Sequence, residues 1–107
     1  MDQLIIVETT VASEPVARKM ASTLVEAKVS ACVQIVGPIE SHYHWKNTMK
    51  MDKEYLVRAK TAQSRVLDCI EAIKKAHPYE LPGILVTPVG GANKPYADWV
   101  AEFVKKK

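Results

Sequence analysis

Ser30-Ala-Cys-Val-Gln-Ile-Val-Gly-Pro-Ile-Glu-Ser-His-Tyr-His-Trp45 is the stretch on which the fold turns. It is rich in β-branched and aromatic residues, which suit a pleated, half-buried surface. Gly37-Pro38 interrupts it once. Read as one kinked ribbon at about 3.3 Å per residue, it reaches roughly 50 Å. A compact domain of about 100 residues has a radius of gyration near 13 Å. The ribbon therefore outruns its own chain, and the expectation is a protein that assembles with a partner.

Working outward from the ribbon, Leu4 to Val11 is a nearly continuous apolar and β-branched run, the pattern of a buried strand. Ser13 is placed to cap a helix, with Glu14 and Pro15 in its first turn. Val16, Ala17, Met20, Ala21, Leu24 and Val25 give that helix one apolar face, and it is expected to end near Lys28. After the ribbon, Lys46 to Lys50 reads as a polar turn region without an Asn-Gly signature. Glu54 to Thr61 alternates as the return strand of a long antiparallel hairpin.

Gln63 to Ala76 reads as a second helix with Val66, Leu67, Ile70 and Ile73 inward, ended by Pro78. Leu81 to Val89 is a strand bracketed by prolines. Gly90 to Asn93 is a loop, and Lys94 to Val104 a short closing helix. The order β-α-β-β-α-β plus a terminal helix predicts an α+β, ferredoxin-like sandwich, with two helices on one face of a four-stranded antiparallel sheet. The other face is rich in apolar residues and has no helix left to cover it, which again points to a second subunit.

The 107 residues fit one domain spanning 1–107, and the composition (48% apolar, 25% charged) is that of a globular protein. The net charge of +3 is matched by the tail Lys105, Lys106 and Lys107, so the body is near neutral and no basic nucleic-acid surface is expected. No apolar run reaches the roughly 18–20 residues of a membrane span. The Met1-Asp2-Gln3 start lacks a basic n-region and a cleavage site, so no signal peptide is expected. Two cysteines, Cys32 and Cys69, fit reduced thiols in the cytoplasm.

Ala31-Cys32-Val33-Gln34-Ile35, Ser41-His42-Tyr43-His44-Trp45, Ala59-Lys60-Thr61, His77-Pro78-Tyr79-Glu80-Leu81-Pro82 and Tyr96-Ala97-Asp98-Trp99 together resemble the CutA family, the divalent-cation-tolerance proteins. The resemblance runs through nearly the whole chain in order. It implies a tight homotrimer similar in architecture to the PII nitrogen-regulatory proteins, with hairpins packed across subunits. It also implies association with divalent metals, chiefly copper, and no established catalytic activity. The chain departs from the family pattern at Gln34, His42, Gly83 and the loop Gly90 to Asn93.

The resemblance makes Cys32 the copper-associated thiol, and a thiolate is a soft ligand suited to Cu(I). The alternative is a small buried strand residue, the usual state of free cysteine; Cys69, a helix residue flanking Val66 and Ile73, is not expected to be a ligand. His77 and Glu80 can share a metal, or His77 can serve the architecture at a helix C-terminus. A subunit boundary could also join either of them to a neighbour's Cys32. Glu40, His42 and His44 fall on one strand face by period two, where His-x-His with a carboxylate can chelate a metal, although solvated histidines are commoner. Lys60, Tyr43, Trp45 and Tyr79 are candidates for a ligand cleft, Lys60 for an anion and the aromatics as interface anchors. A PII-like trimer holding a small anionic ligand is the alternative to a metal-binding trimer. No Gly-rich phosphate loop, nucleophilic triad or RNA-binding signature is present, so no enzyme is expected.

Overall fold

The computed structural model describes residues 2–106; Met1 and Lys107, which belong to the amino-terminal and basic-tail readings above, lie outside the described residues. The elements are β1 (Leu4–Val11), α1 (Glu14–Glu26), β2 (Cys32–Trp45), β3 (Thr48–Ala62), a 3-10 turn (Gln63–Arg65), α2 (Val66–Ala76), β4 (Ile84–Pro88) and α3 (Lys94–Val104). The sheet order is β2-β3-β1-β4, and every neighbouring pair is antiparallel. This is the ferredoxin-like arrangement that the element order predicts, with one helix added at the end.

β1 is central, which explains its nearly continuous apolar and β-branched run. Ile5, Val7 and Val11 point to one face and pack with Val57, Ala59, Ala17, Met20, Leu24, Cys69 and Ile73 under α1 and α2. Helix α1 starts at Ser13, whose Oγ accepts a hydrogen bond from the Val16 N–H. It ends where Lys28 takes φ 58°. There the Val29 N–H donates to the Leu24 carbonyl and the Lys28 N–H to the Val25 carbonyl. That pair of bonds is a Schellman ending, with lysine where glycine is usual.

Three expectations are corrected. Leu67 is 77% exposed, not inward, and Cys69 takes its place in the core. Within α2, Val66, Cys69, Ile70 and Ile73 fall on one stripe, and Leu67, about 100° round the helix from Val66, lies off it. The last strand is shorter than 81–89, because Pro82 and Gly83 stay outside the ladder. And the second sheet face is not bare: α3 lays Val100 and Val104 against Leu4, Ala31 and Ala62 there.

The hairpin is longer than its return strand suggested. β1 pairing stops at Val11↔Tyr55, whereas β2 and β3 stay paired out to Trp45↔Thr48. A two-stranded arm results, and the molecule measures 45 × 25 × 21 Å. The turn occupies only Lys46 and Asn47, both at positive φ (50° and 63°), as in a type I′ hairpin; Met49 and Lys50 are strand residues. At the base of the arm the register slips between Val36 and Ile39, around Gly37-Pro38. Gly37 sits flat against the Tyr55 ring, where any side chain would overlap it.

Candidate functional site

The first candidate, Cys32, opens β2 opposite Lys60 and is half-buried. It shares the sheet face of Lys60, and Lys60 places its Nζ 5.4 Å from the centroid of the Tyr96 ring on α3. Cys69, by contrast, lies fully inside the core, and burial pushes its thiol up to about 12 despite the lowering effect of Arg65. A thiol that stays protonated is unreactive. In the native protein, iodoacetamide at neutral pH is therefore expected to label Cys32 well ahead of Cys69. Peptide mass mapping checks this, and equal labelling of the two would contradict the burial argument.

His77 is fully engaged. Its Nε2 lies 2.9 Å from the Thr10 carbonyl oxygen and 3.0 Å from Thr9 Oγ1, and its Nδ1 accepts the Tyr79 N–H at 3.2 Å. That network fixes the proton on Nε2. Thr9 Oγ1 in turn donates to the Gly83 carbonyl at 2.7 Å. The residue thus ties the segment after α2 to β1, and neither ring nitrogen is left for a metal. Within one chain it is not brought to Cys32, which lies in the Lys60–Ile6 row of the sheet. Glu80 is exposed, with one oxygen 3.9 Å from Lys46 Nζ.

Glu40, His42 and His44 do share one face of the arm, as period two requires, opposite Lys53, Met51 and Met49. Only Glu40 and His42 meet, at 2.7 Å between Oε1 and Nε2. Among the described residues, no three His, Cys, Asp or Glu side chains stand together in a way that could hold a metal ion. One chain therefore offers single donors rather than a finished metal site.

What the fold does gather is the aromatic set. Tyr43, Trp45 and Tyr79 line a cleft of about 470 Å³ with Thr10, Glu54, Glu80, Leu81 and Gly83. Tyr43 and Trp45 come from the arm face opposite the histidines, and Tyr79 from the segment that His77 anchors. Lys60 is not part of it. The Tyr43 hydroxyl donates to Asp52, and the Tyr79 hydroxyl donates to Glu54 Oε2 at 2.6 Å. The Asp52 hydrogen bond raises the Tyr43 phenol above its ordinary value. Burial, and then the Glu54 bond, hold the Tyr79 phenol well above its own. Both rings keep their protons and point them at carboxylates. Asp52 and Glu54 escaped the sequence reading because their partners lie 9 and 25 residues away, joined only by the hairpin register and the path of the 77–83 segment.

Comparison with known proteins agrees with this fold along its length. A family model described as "CutA1 divalent ion tolerance protein" matches residues 5–103. The divalent-cation tolerance protein CutA of Thermus thermophilus is 37% identical over 102 residues, covering 95% of this chain and 97% of that protein. Human Protein CutA is 36% identical over 93 residues, 87% of this chain but 52% of the human protein, so the chain spans about half the length of that relative. Among solved structures, the Thermus thermophilus divalent cation tolerance protein has a TM-score of 0.88 at 38% identity, covering 92% of this chain and 96% of that one. The divalent ion tolerance protein CutA1 of Ehrlichia chaffeensis has a TM-score of 0.92 at 26% identity, covering 99% of both chains. With the match running from β1 into α3, this chain belongs to the CutA1 divalent ion tolerance protein family.

Proposed function

We propose that the protein is a homotrimer that binds copper or a related divalent metal at Cys32, as a tolerance or response protein of the cytoplasm without catalytic activity. The observation that carries the metal reading is the half-buried Cys32 on a sheet face, while the core takes the other cysteine, Cys69, out of play. Soft thiolate ligation favours copper. Since one chain supplies no cluster of three donors among the described residues, the remaining donors come from a neighbouring copy. Glu80 is free enough to be one, and His77 is not.

Assembly is supported by the arm and the sheet edges. β2 and β4 are edge strands with open ladders, and Val36, Met49, Met51, Leu85 and Val86 are exposed along them and the arm. Such edges are ordinarily covered. Calorimetric titration with copper and zinc tests the metal reading. Cys32→Ala is expected to weaken copper binding at least about tenfold, a loss of about 1.4 kcal/mol. The double substitution His42→Ala/His44→Ala is expected to leave it unchanged. Equal binding by Cys32→Ala and the native protein would sink the assignment of the site to Cys32.

A further inference from the structure

We propose that the cleft lined by Tyr43, Trp45, Tyr79 and Glu54 is a binding site for a small organic cation, an alkylammonium or guanidinium compound. This goes beyond the metal reading and holds whether or not Cys32 takes up an ion.

The floor of the cleft carries the argument. Glu54 is 8% exposed, and the one hydrogen-bond partner of its carboxylate among the described residues is the Tyr79 hydroxyl. Among those residues, no lysine, arginine or histidine of the same chain stands within ion-pair distance of it, whereas the buried Arg65, past the other end of β3, pairs with Asp68 at 2.5 Å. A buried carboxylate without a counter-charge is costly, and a cation entering the cleft supplies what is missing.

The walls are suited to the same ligand. Three aromatic side chains line the space, and ring faces attract ammonium and guanidinium groups stripped of water. The two phenols point their protons at Asp52 and Glu54, so the rings stay neutral while the acceptors around the cleft are carboxylates. Among the described residues, no basic side chain lines the cleft, which favours a cation over an anion there; Lys60, the candidate anion ligand, lies over Tyr96 instead.

The chain already shows this recognition with one of its own side chains. Lys46, at the tip of the arm, holds its Nζ 5.7 Å from the centroid of the Trp45 ring and 3.9 Å from Glu80 Oε2. A tethered ammonium thus rests at the mouth of the cleft, on one of its rings and beside one of its acids. A free cation would add the Glu54 carboxylate to those contacts, and Lys46 would compete with it.

The test is fluorescence titration of Trp45 in a Trp99→Phe background. The probes are choline and guanidinium, with 3,3-dimethyl-1-butanol as the neutral isostere of choline and inorganic phosphate as the anion. Saturable quenching by choline or guanidinium, and none by the alcohol or phosphate, is expected. Glu54→Gln is expected to weaken it at least about tenfold. Lys46→Asn, which keeps a residue tolerant of positive φ at an exposed turn, is expected to strengthen it several-fold. If both the native protein and Lys46→Asn ignore the cations up to about 10 mM, or if the neutral isostere binds as well as choline, the proposal fails.

Discussion

His77→Ala is expected to lower the stability of the protein by about 2–4 kcal/mol while leaving its copper affinity unchanged. The substitution removes the Nε2–H bond to the Thr10 carbonyl and leaves the Tyr79 N–H without its acceptor. It also removes a ring that packs 4.6 Å, centroid to centroid, from Tyr79, and opens a cavity at a buried position. In a domain of this size such a loss lowers the melting temperature by on the order of 10–20 °C. Thermal unfolding followed by circular dichroism reads the first effect and copper calorimetry the second. A stable variant that has lost copper binding would reverse the assignment and make His77 a ligand.

Gly37→Ala is the second large effect. The new methyl group has no room: it would run into Cδ2, Cγ and Cε2 of Tyr55. The ring cannot swing aside freely, because Tyr55 packs against the main core cluster. Overpacking of this kind costs about 1–3 kcal/mol. Urea denaturation should show that loss. If the ring is the cause, Gly37→Ala/Tyr55→Val costs less than the sum of the two single changes. Strict additivity would mean that Gly37 is required for some other reason.

Much of the architecture is legible in the residues because local pattern and global fold agree. β1 from Leu4 to Val11 and the closing helix from Lys94 to Val104 are readable to the residue, since the first is a nearly continuous apolar and β-branched run and the second has one apolar side, each with a clear boundary. The failures have particular causes. Leu67 follows Val66 in sequence and shares its apolar character, but it stands about a quarter turn round α2 from the stripe of Val66, Cys69, Ile70 and Ile73. The tip of the arm was read as a five-residue polar region because the turn uses Lys46 and Asn47 at positive φ instead of Asn-Gly. Met49 to Lys53 belongs to a strand only because β2 is there to pair with it.

The candidate site was less legible, for a related reason. Residue type alone picks out Cys32, His77 and the histidine pair, but their use depends on neighbours distant in sequence. His77 has both nitrogens taken by Thr10 and Tyr79, and His44 does not join Glu40 and His42. Tyr43, Trp45 and Tyr79 line one cleft, and Lys60, grouped with them on residue type, lies outside it. Glu54, which gives that cleft its electrostatic character, reads in the sequence as one more acid at the start of a strand. Its burial follows from the arm, the end of β1 and the 77–83 segment coming together, and no stretch of sequence shows that.

The most direct test of the account is native mass spectrometry of the purified protein with and without one equivalent of copper per chain. The account predicts a single species of three times the 11.9 kDa chain mass that takes up copper, and a Cys32→Ala form that keeps this mass but not the metal. A monomer that binds copper equally well with and without Cys32 would contradict both the assembly and the place assigned to the metal.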